Sequence, residues 1–388
     1  MVIGVLKEIL HDENRVSATP ETVKKMVLDG HQVLVEKSAG DASFYHDEDY
    51  LSAGAKVVSD PREIYAKADV ILKVKEPQFN EQYQIHEVDM MKEGQHLITF
   101  IHPAAPNNHQ MVKHLTQKGI TALTLDGIPR ISRAQSMDAL SSMSTCAGYK
   151  GMIRAVDSIP KFMPMVGSAV GMLKPATVFV LGAGVAGLRA IATAKGLGAV
   201  VYAADIRPEA NEQAKSLGAR IIDLQIPEDV AVSQDGKHAN KLPKQWLEIE
   251  KSKIADIVKG ADIVFLSALI FGHKAPILID ETMVKSMKPG SYIVDVSVDQ
   301  GGNCSLTMPG ETIEKHLVKI DGTKNIPGLI PTSSTWMFAQ NIYNLLKYLT
   351  KDGEIVLDTS DEIVDSILVC HNKKLVHQGT IEAMEQEG

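Results

Sequence analysis

The chain is poor in cysteine, in long apolar runs and in positive charge, and each shortage excludes something. Three cysteines, Cys146, Cys304 and Cys370, occur in 388 residues. No two stand in a CxxC spacing, so neither a disulfide-stapled secreted scaffold nor a cysteine metal cage is expected, and the three read as small core residues in a reducing compartment. The longest nearly uncharged stretch, Phe162 to Leu173, falls short of the roughly 20 apolar residues that cross a bilayer. The opening MVIGVLKEIL carries Lys7 and Glu8 inside its apolar run, unlike a signal peptide. Formal net charge is −8 with no basic run, which weighs against a nucleic-acid partner. What remains is a globular composition, 44% hydrophobic and 23% charged, with ample core for two or three domains of about 150 residues each.

Strand-like and helix-like runs alternate almost from the start. VIGVLKEI reads as a strand. TPETVKKMVLDG reads as a helix with Thr19 as N-cap, Pro20 at its first position and Gly30 as its end. HQVLVEK, DVILKVKEP, GQHLITFIHP and ITALTLDG read as further strands. This rhythm predicts a parallel sheet with right-handed crossovers. Helical pattern runs from about Gln135 to Ile159. A second α/β unit follows with ATVFVLGAG, VVYAADIR, ARIIDL, ADIVFLSA, GSYIVDVSV and LVKIDG as strands. Pro227 to Pro243 is polar and reads as a surface loop, and TWMFAQNIYNLLKYL, apolar on nearly every face, as a buried helix. The predicted fold is α/β: two Rossmann-like domains with mostly parallel sheets, separated by a cleft and joined by long helices. Residues 1–134 with 335–388 are expected to form a discontinuous first domain, and 135–334 a second, dinucleotide-binding one.

GAGVAG places Gly182, Gly184 and Gly187 in a GxGxxG spacing between a strand-like and a helix-like run. In that setting the first glycine allows a tight turn, the second lets backbone approach a pyrophosphate, and the third lets helix and strand pack closely. Uncapped N–H groups and the positive end of the helix then face the phosphates. Asp205 ends the next strand at the position of a ribose-binding acid, which favours NAD(H) over NADP(H). Arg207, two residues on, is of the type that accepts a 2′-phosphate.

The segment PRISRAQSMDALSSMS, Pro129 to Ser144, concentrates groups suited to fixed hydrogen bonds. In a helix beginning near Gln135, Asp138 and Ser141 share a face, and Arg130 is placed to fork onto Asp138. Two readings stand side by side. Such a pair could hold a nicotinamide carboxamide, which needs a donor and an acceptor. Alternatively the segment is a capping network, with Ser132 or Ser136 as N-cap and a surface Arg–Asp pair.

This segment, followed by AGYKG, together with VLGAGVAGLRAIATAKGLGA and SMKPGSYIVDVSVDQGGNC, resembles the soluble NAD(H)-binding component of proton-translocating NAD(P) transhydrogenase, in the alanine dehydrogenase/transhydrogenase family. The similarity runs over essentially the whole chain. It implies that Arg130, Asp138 and Ser141 position the nicotinamide and that Gln135 reaches toward the other dinucleotide. Gly182, Ala183, Gly184, Val185 and Gly187 match the pyrophosphate turn, Asp205, Ile206 and Arg207 the adenosine ribose, and Ser267, Ala268 and Leu269 a segment near the ring. SQDGKHANK corresponds to a loop that closes over the nucleotide, with His238 where the family usually carries a tyrosine. The implied reaction is direct hydride transfer from NADH to NADP⁺ held on a partner domain. The implied partners are an NADP(H)-binding subunit, a membrane-spanning subunit and a second copy of the chain. The implied location is cytoplasmic, at the inner membrane through those partners.

Two other readings compete. Alanine dehydrogenase is a relative, and Arg15, Lys75, His102 and Asp299 match its substrate and acid–base positions. A nucleotide-binding protein without turnover is the third.

Overall fold

The computed structural model describes residues 1–233, 239–270 and 274–385. His238 and its neighbours in SQDGKHANK lie outside the described residues. The chain divides into two compact units, Met1–Met143 with Pro327–Gly388, and Ser144–Ile326.

The sheet of the first unit runs Lys374–Leu375, Leu368–His371, Thr121–Thr124, His96–Thr99, Val70–Leu72, Val2–Val5, Gln32–Glu36, Lys56–Val58. The six strands from the amino-terminal region are mutually parallel. The two from the carboxy-terminal region add antiparallel at one edge. Counted along the chain, the parallel strands lie in the doubly wound order 3-2-1-4-5-6, reversing between Val2–Val5 and Val70–Leu72. Local signals explain the first crossover. Helix Pro20–Leu28 is closed at its start by a capping box between Thr19 and Thr22, and Gly30 takes φ +89° just beyond its end.

The second sheet runs Arg220–Ile221, Val200–Ala204, Thr177–Leu181, Ile263–Leu266, Tyr292–Asp295, Val318–Asp321, Thr312–Lys315. Only the last strand is antiparallel. Again the parallel strands lie 3-2-1-4-5-6, reversing between Thr177–Leu181 and Ile263–Leu266. The central strand shows why its sequence is apolar without alternation. Val178 and Val180 face a cluster with Ile191, Ala194 and Met152, whereas Phe179 and Leu181 face one with Ile254, Val258 and Val284. Both faces are covered, as parallel sheets require.

Helix Pro331–Leu349 buries Phe338, Ile342, Leu345, Leu346 and Leu349 and leaves Trp336 and Tyr348 exposed. Cys146, Cys304 and Cys370 are buried thiols. Among the described residues no helix is long and apolar enough to cross a membrane.

Candidate functional site

The glycine turn Gly182–Gly187 sits where the strand order of the second unit reverses, the place at which doubly wound sheets bind ligands. Gly182 has φ +89°. A Cβ there would lie 2.7 Å from the Ser267 carbonyl carbon and the Ala268 nitrogen, so the loops leaving the two central strands touch backbone to backbone. Ser267 Oγ donates to the Gly182 carbonyl at 2.8 Å. A Cβ on Gly187 would stand 2.0 Å from that same carbonyl oxygen. Helix Val185–Gly196 starts at Gly184 with no side-chain cap, and its first backbone bond runs from Leu188 N to Gly184 O. The amides of Val185, Ala186 and Gly187 are thus turned outward at the positive end of the helix. A Cβ on Gly184 would meet nothing nearer than Arg207 Nη2, 3.9 Å away. Open approach, uncapped amides and a positive dipole fit a pyrophosphate. Gly148, in helix Ala139–Ser158, brings that helix against the same turn: its Cβ would lie 2.2 Å from Ala186 O.

Asp205 is 7% exposed and ties the turn to the next strand. Its Oδ2 accepts the Ala183 amide at 2.7 Å, so Ala183 contributes through the acid. Arg207 donates its backbone amide at 2.9 Å and Nε at 3.0 Å to Oδ1, and Nη2 at 2.9 Å to Oδ2. The neighbouring Ile206 and Val185 are half-buried. Two residues missed by sequence reasoning complete this region. Asn303, fully buried, takes the Ala268 amide at 2.9 Å and returns Nδ2 to the Ala268 carbonyl at 2.9 Å, fixing the loop segment between Ser267 and Leu269. Glu250 is 4% exposed; burial first, and the charge of Asp205 second, push its carboxyl up to about 7. The GGNC stretch held a signal for Asn303, a polar side chain between a glycine turn and a buried cysteine. Glu250 had none.

The Pro129–Ser144 segment differs from expectation. It forms a 3₁₀ turn, Ser132–Met137, and the α-helix begins only at Ala139. Asp138 is the cap: Oδ1 accepts the Ser141 amide at 2.8 Å and Oδ2 the Ser141 hydroxyl at 2.6 Å. Neither Ser132 nor Ser136 caps this helix. The expected Arg130–Asp138 fork is not formed; the carboxylate turns to Ser141 instead. Arg130 is exposed and makes no ion pair among the described residues. The arginine that pairs is Arg133, with Asp361 and Glu362 at 3.0 Å each. Gln135 is exposed on the turn.

The first unit has no glycine turn at its own reversal point. Glu8, following Val2–Val5, fills the space: its Oε1 accepts the Val74 amide at 2.6 Å. Lys73 beneath it lies 2.9 Å from Glu87 and 3.6 Å from Glu8, and burial pushes Glu8 up to about 7 despite that lysine. Arg15 is buried and doubly paired with Glu13, Nε to Oε1 at 2.7 Å and Nη2 to Oε2 at 2.5 Å. His102, at φ +47°, stacks on Phe100 and sets Nδ1 2.7 Å from Asp126 Oδ1. Lys75 is half-buried and gives its amide to Glu8. Asp299 is exposed in the turn Val298–Gln300 of the second unit.

Comparison with known proteins accounts for both halves of the chain. Residues 4–147 match the model described as alanine dehydrogenase/PNT, N-terminal domain, and residues 151–378 the model of the C-terminal domain. A Rhodospirillum rubrum protein, named as the first portion of an NAD(P) transhydrogenase subunit alpha, is 40% identical over 379 residues, 97% of this chain and 98% of that one. An alanine dehydrogenase of Methanococcus maripaludis is 36% identical over 344 residues, 87% of this chain and 84% of that one. The crystal structure of a Sinorhizobium meliloti transhydrogenase superposes with a TM-score of 0.84 at 36% identity, covering 97% of this chain and all of that one. With the two halves matched in order and the glycine turn, its acid and the doubly wound sheets in place, the chain belongs to the alanine dehydrogenase/PNT family.

Proposed function

We propose that the chain is the NAD(H)-binding component of a proton-translocating NAD(P) transhydrogenase. The observation that carries this reading is the near end-to-end correspondence, at 40% identity, with a transhydrogenase alpha subunit. Bound NADH supplies the hydride, and NADP⁺ held by a partner subunit accepts it; the nicotinamide rings carry that chemistry themselves. The work of this chain is to hold and aim. The amides after Gly182 and Gly184 take the pyrophosphate, and Asp205, Ile206 and Arg207 receive the adenosine ribose. Because Arg207 is spent on Asp205, the pocket presents an acid rather than a free cation, which suits a 2′-hydroxyl and disfavours a 2′-phosphate. Ser267, Ala268 and Leu269 flank the ring. Arg130, Asp138 and Ser141 hold the carboxamide, and Gln135 faces the second dinucleotide. The partners are an NADP(H)-binding subunit, a membrane-spanning subunit that couples transfer to proton flow, and a second copy of the chain. The complex lies at the cytoplasmic face of the inner membrane.

Alanine dehydrogenase remains a second reading on one observation, the His102–Asp126 dyad, which has the form of an acid–base pair. Against it, the Arg15 guanidinium is already paired with Glu13. Two assays decide. The purified chain is given NADH, pyruvate and ammonium in one. In the other it is given NADPH, an NAD⁺ analogue and a partner NADP(H)-binding domain. Turnover confined to the second supports the proposal. Turnover confined to the first overturns it in favour of alanine dehydrogenase, and NADH binding without turnover in either overturns it in favour of a nucleotide-binding protein.

A further inference from the structure

The turn Ser132–Met137 should not hold its shape unaided. A 3₁₀ turn has poor hydrogen-bond geometry, and Ser132, Arg133, Gln135 and Ser136 are exposed; Ala134 and Met137 are its buried side chains. Yet the turn carries Gln135 and leads directly into Asp138, both of which the proposed function requires in fixed places.

What fixes it is the far end of the sequence. Ser136 O accepts two amide donors, Asn341 Nδ2 at 2.9 Å and Asn344 Nδ2 at 3.1 Å. The two asparagines are one helical turn apart on Pro331–Leu349, so they present their amides from one face. Three residues before Ser136, Arg133 is pinned independently. Its Nη1 donates to Tyr348 OH at 2.6 Å and to Asp361 Oδ2 at 3.0 Å, and its Nη2 to Asp361 Oδ1 and Glu362 Oε1, each at 3.0 Å. Tyr348 closes the network by donating to Asp361. Gln135 therefore lies between two clamped points, and Asp138 follows two residues after the second.

Packing does not explain Asn341. The residue is 7% exposed, and its Oδ1 is buried without a hydrogen-bond partner among the described residues. A buried amide that satisfies only its donor is a poor core residue, and an apolar side chain of similar size would pack there without an orphaned acceptor. Its orientation is set by the carbonyl it serves, since Ser136 O can only accept.

We infer that Asn341, Asn344 and Arg133 are positioning residues for hydride transfer, holding the Gln135–Asp138 turn in the geometry the reaction needs. They touch neither nucleotide in this assignment; they act through the turn. The inference rests on the transhydrogenase reading. Near-attack placement makes the expected effect large, since a displacement of about 1 Å can slow a reaction roughly 100-fold.

The test uses the whole chain with a partner NADP(H)-binding domain, comparing wild type with Asn341→Asp, the Asn344→Ala/Arg133→Ala double variant and Asn344→Gln. Asn344 is half-buried and Arg133 lies at the surface, so those variants keep the test open should Asn341→Asp fail to fold. Hydride transfer at saturating NADH should fall about 10- to 100-fold in Asn341→Asp and in the Asn344→Ala/Arg133→Ala double variant. NADH affinity, read by fluorescence, should stay within about threefold, and Asn344→Gln, which keeps an amide donor, should recover most of the rate. Undiminished transfer in these variants, or rate and NADH affinity falling together, overturns the inference while leaving the function standing. Absence of transfer by the wild type overturns the functional reading, and this inference with it.

Discussion

Arg207 forks onto Asp205, with Nε 3.0 Å from one carboxylate oxygen and Nη2 2.9 Å from the other. The pair turns two sequence signals of opposite meaning, an acid for NAD(H) and an arginine for NADP(H), into one neutral unit. Releasing the arginine should change the preference. In Asp205→Asn the guanidinium loses its charge partner and becomes available to a 2′-phosphate. The ratio of NADPH to NADH affinity, measured by fluorescence titration, should rise at least about tenfold, about 1.4 kcal/mol. An unchanged ratio would show that Arg207 does not govern the choice.

Arg130 and Asp138 separate stability from chemistry. Arg130 is exposed and unpaired among the described residues, so Arg130→Ala should alter thermal stability by no more than about 0.5 kcal/mol. It should nevertheless slow hydride transfer far more than it weakens NADH binding. Asp138 caps helix Ala139–Ser158, so Asp138→Ala should cost about 1 kcal/mol of stability as well as activity. Equal loss of rate and affinity in Arg130→Ala would remove Arg130 from the ring site.

One chain should bind one dinucleotide. Both sheets have the doubly wound order, but only the second carries a glycine turn at its reversal point; the first has the Glu8 carboxylate on the Val74 amide there. Calorimetric titration with NADH should give a stoichiometry of about one per chain. A second site of comparable affinity would contradict the role assigned to Glu8.

His102 and Asp126 should make stability depend on pH on both sides of a window. Partial burial lowers the pKa of His102, but the charge and hydrogen bond of Asp126 together outweigh it and the net shift is upward from 6.5. Burial raises Asp126, yet the His102 charge and hydrogen bonds bring it from 3.8 down to about 2. The raised histidine contributes stability fully below about pH 6.5 and loses it as pH climbs through the folded-state value. The lowered aspartate contributes above about pH 3.8 and loses it as pH falls toward about 2. Wild type should therefore exceed Asp126→Asn in stability most between about pH 4 and 6.5. In an NMR titration His102 should titrate above 6.5 in wild type and lower in the variant; a wild-type midpoint under 6.5 would contradict the pairing.

Local chemistry was legible, and long-range pairing was not. Thr19, Pro20 and Gly30 mark the first helix because caps and turn glycines act on immediate neighbours. The strand–turn–helix of GAGVAG and the acid at Asp205 could be read because each glycine answers a backbone demand a few residues away. The apolar runs located the parallel strands because both faces of each sheet are covered. By contrast, nothing near Arg133 announces Asp361, and nothing near Ser136 announces Asn341; these partners meet only once the carboxy-terminal helix docks. The Arg130–Asp138 expectation failed for a local reason that spacing could not reveal. Asp138, ahead of a helix, turns its carboxylate to the amide and hydroxyl of Ser141 in the first turn and not to Arg130.

The first unit is assembled from two segments that flank the second unit in sequence, and this sets a schedule. Emerging from the ribosome, residues up to about 143 have their parallel strands but lack the helix Pro331–Leu349 and the edge strand Leu368–His371. The second unit, one unbroken stretch, is complete in the nascent chain earlier. Domains ordinarily fold in order of synthesis; here the amino-terminal portion must wait, with apolar surface uncovered, until the segment that follows the second unit has been made. A stop codon shortly after residue 326 would thus leave a finished nucleotide-turn unit attached to an unclosed sheet, a substrate for chaperones and proteases.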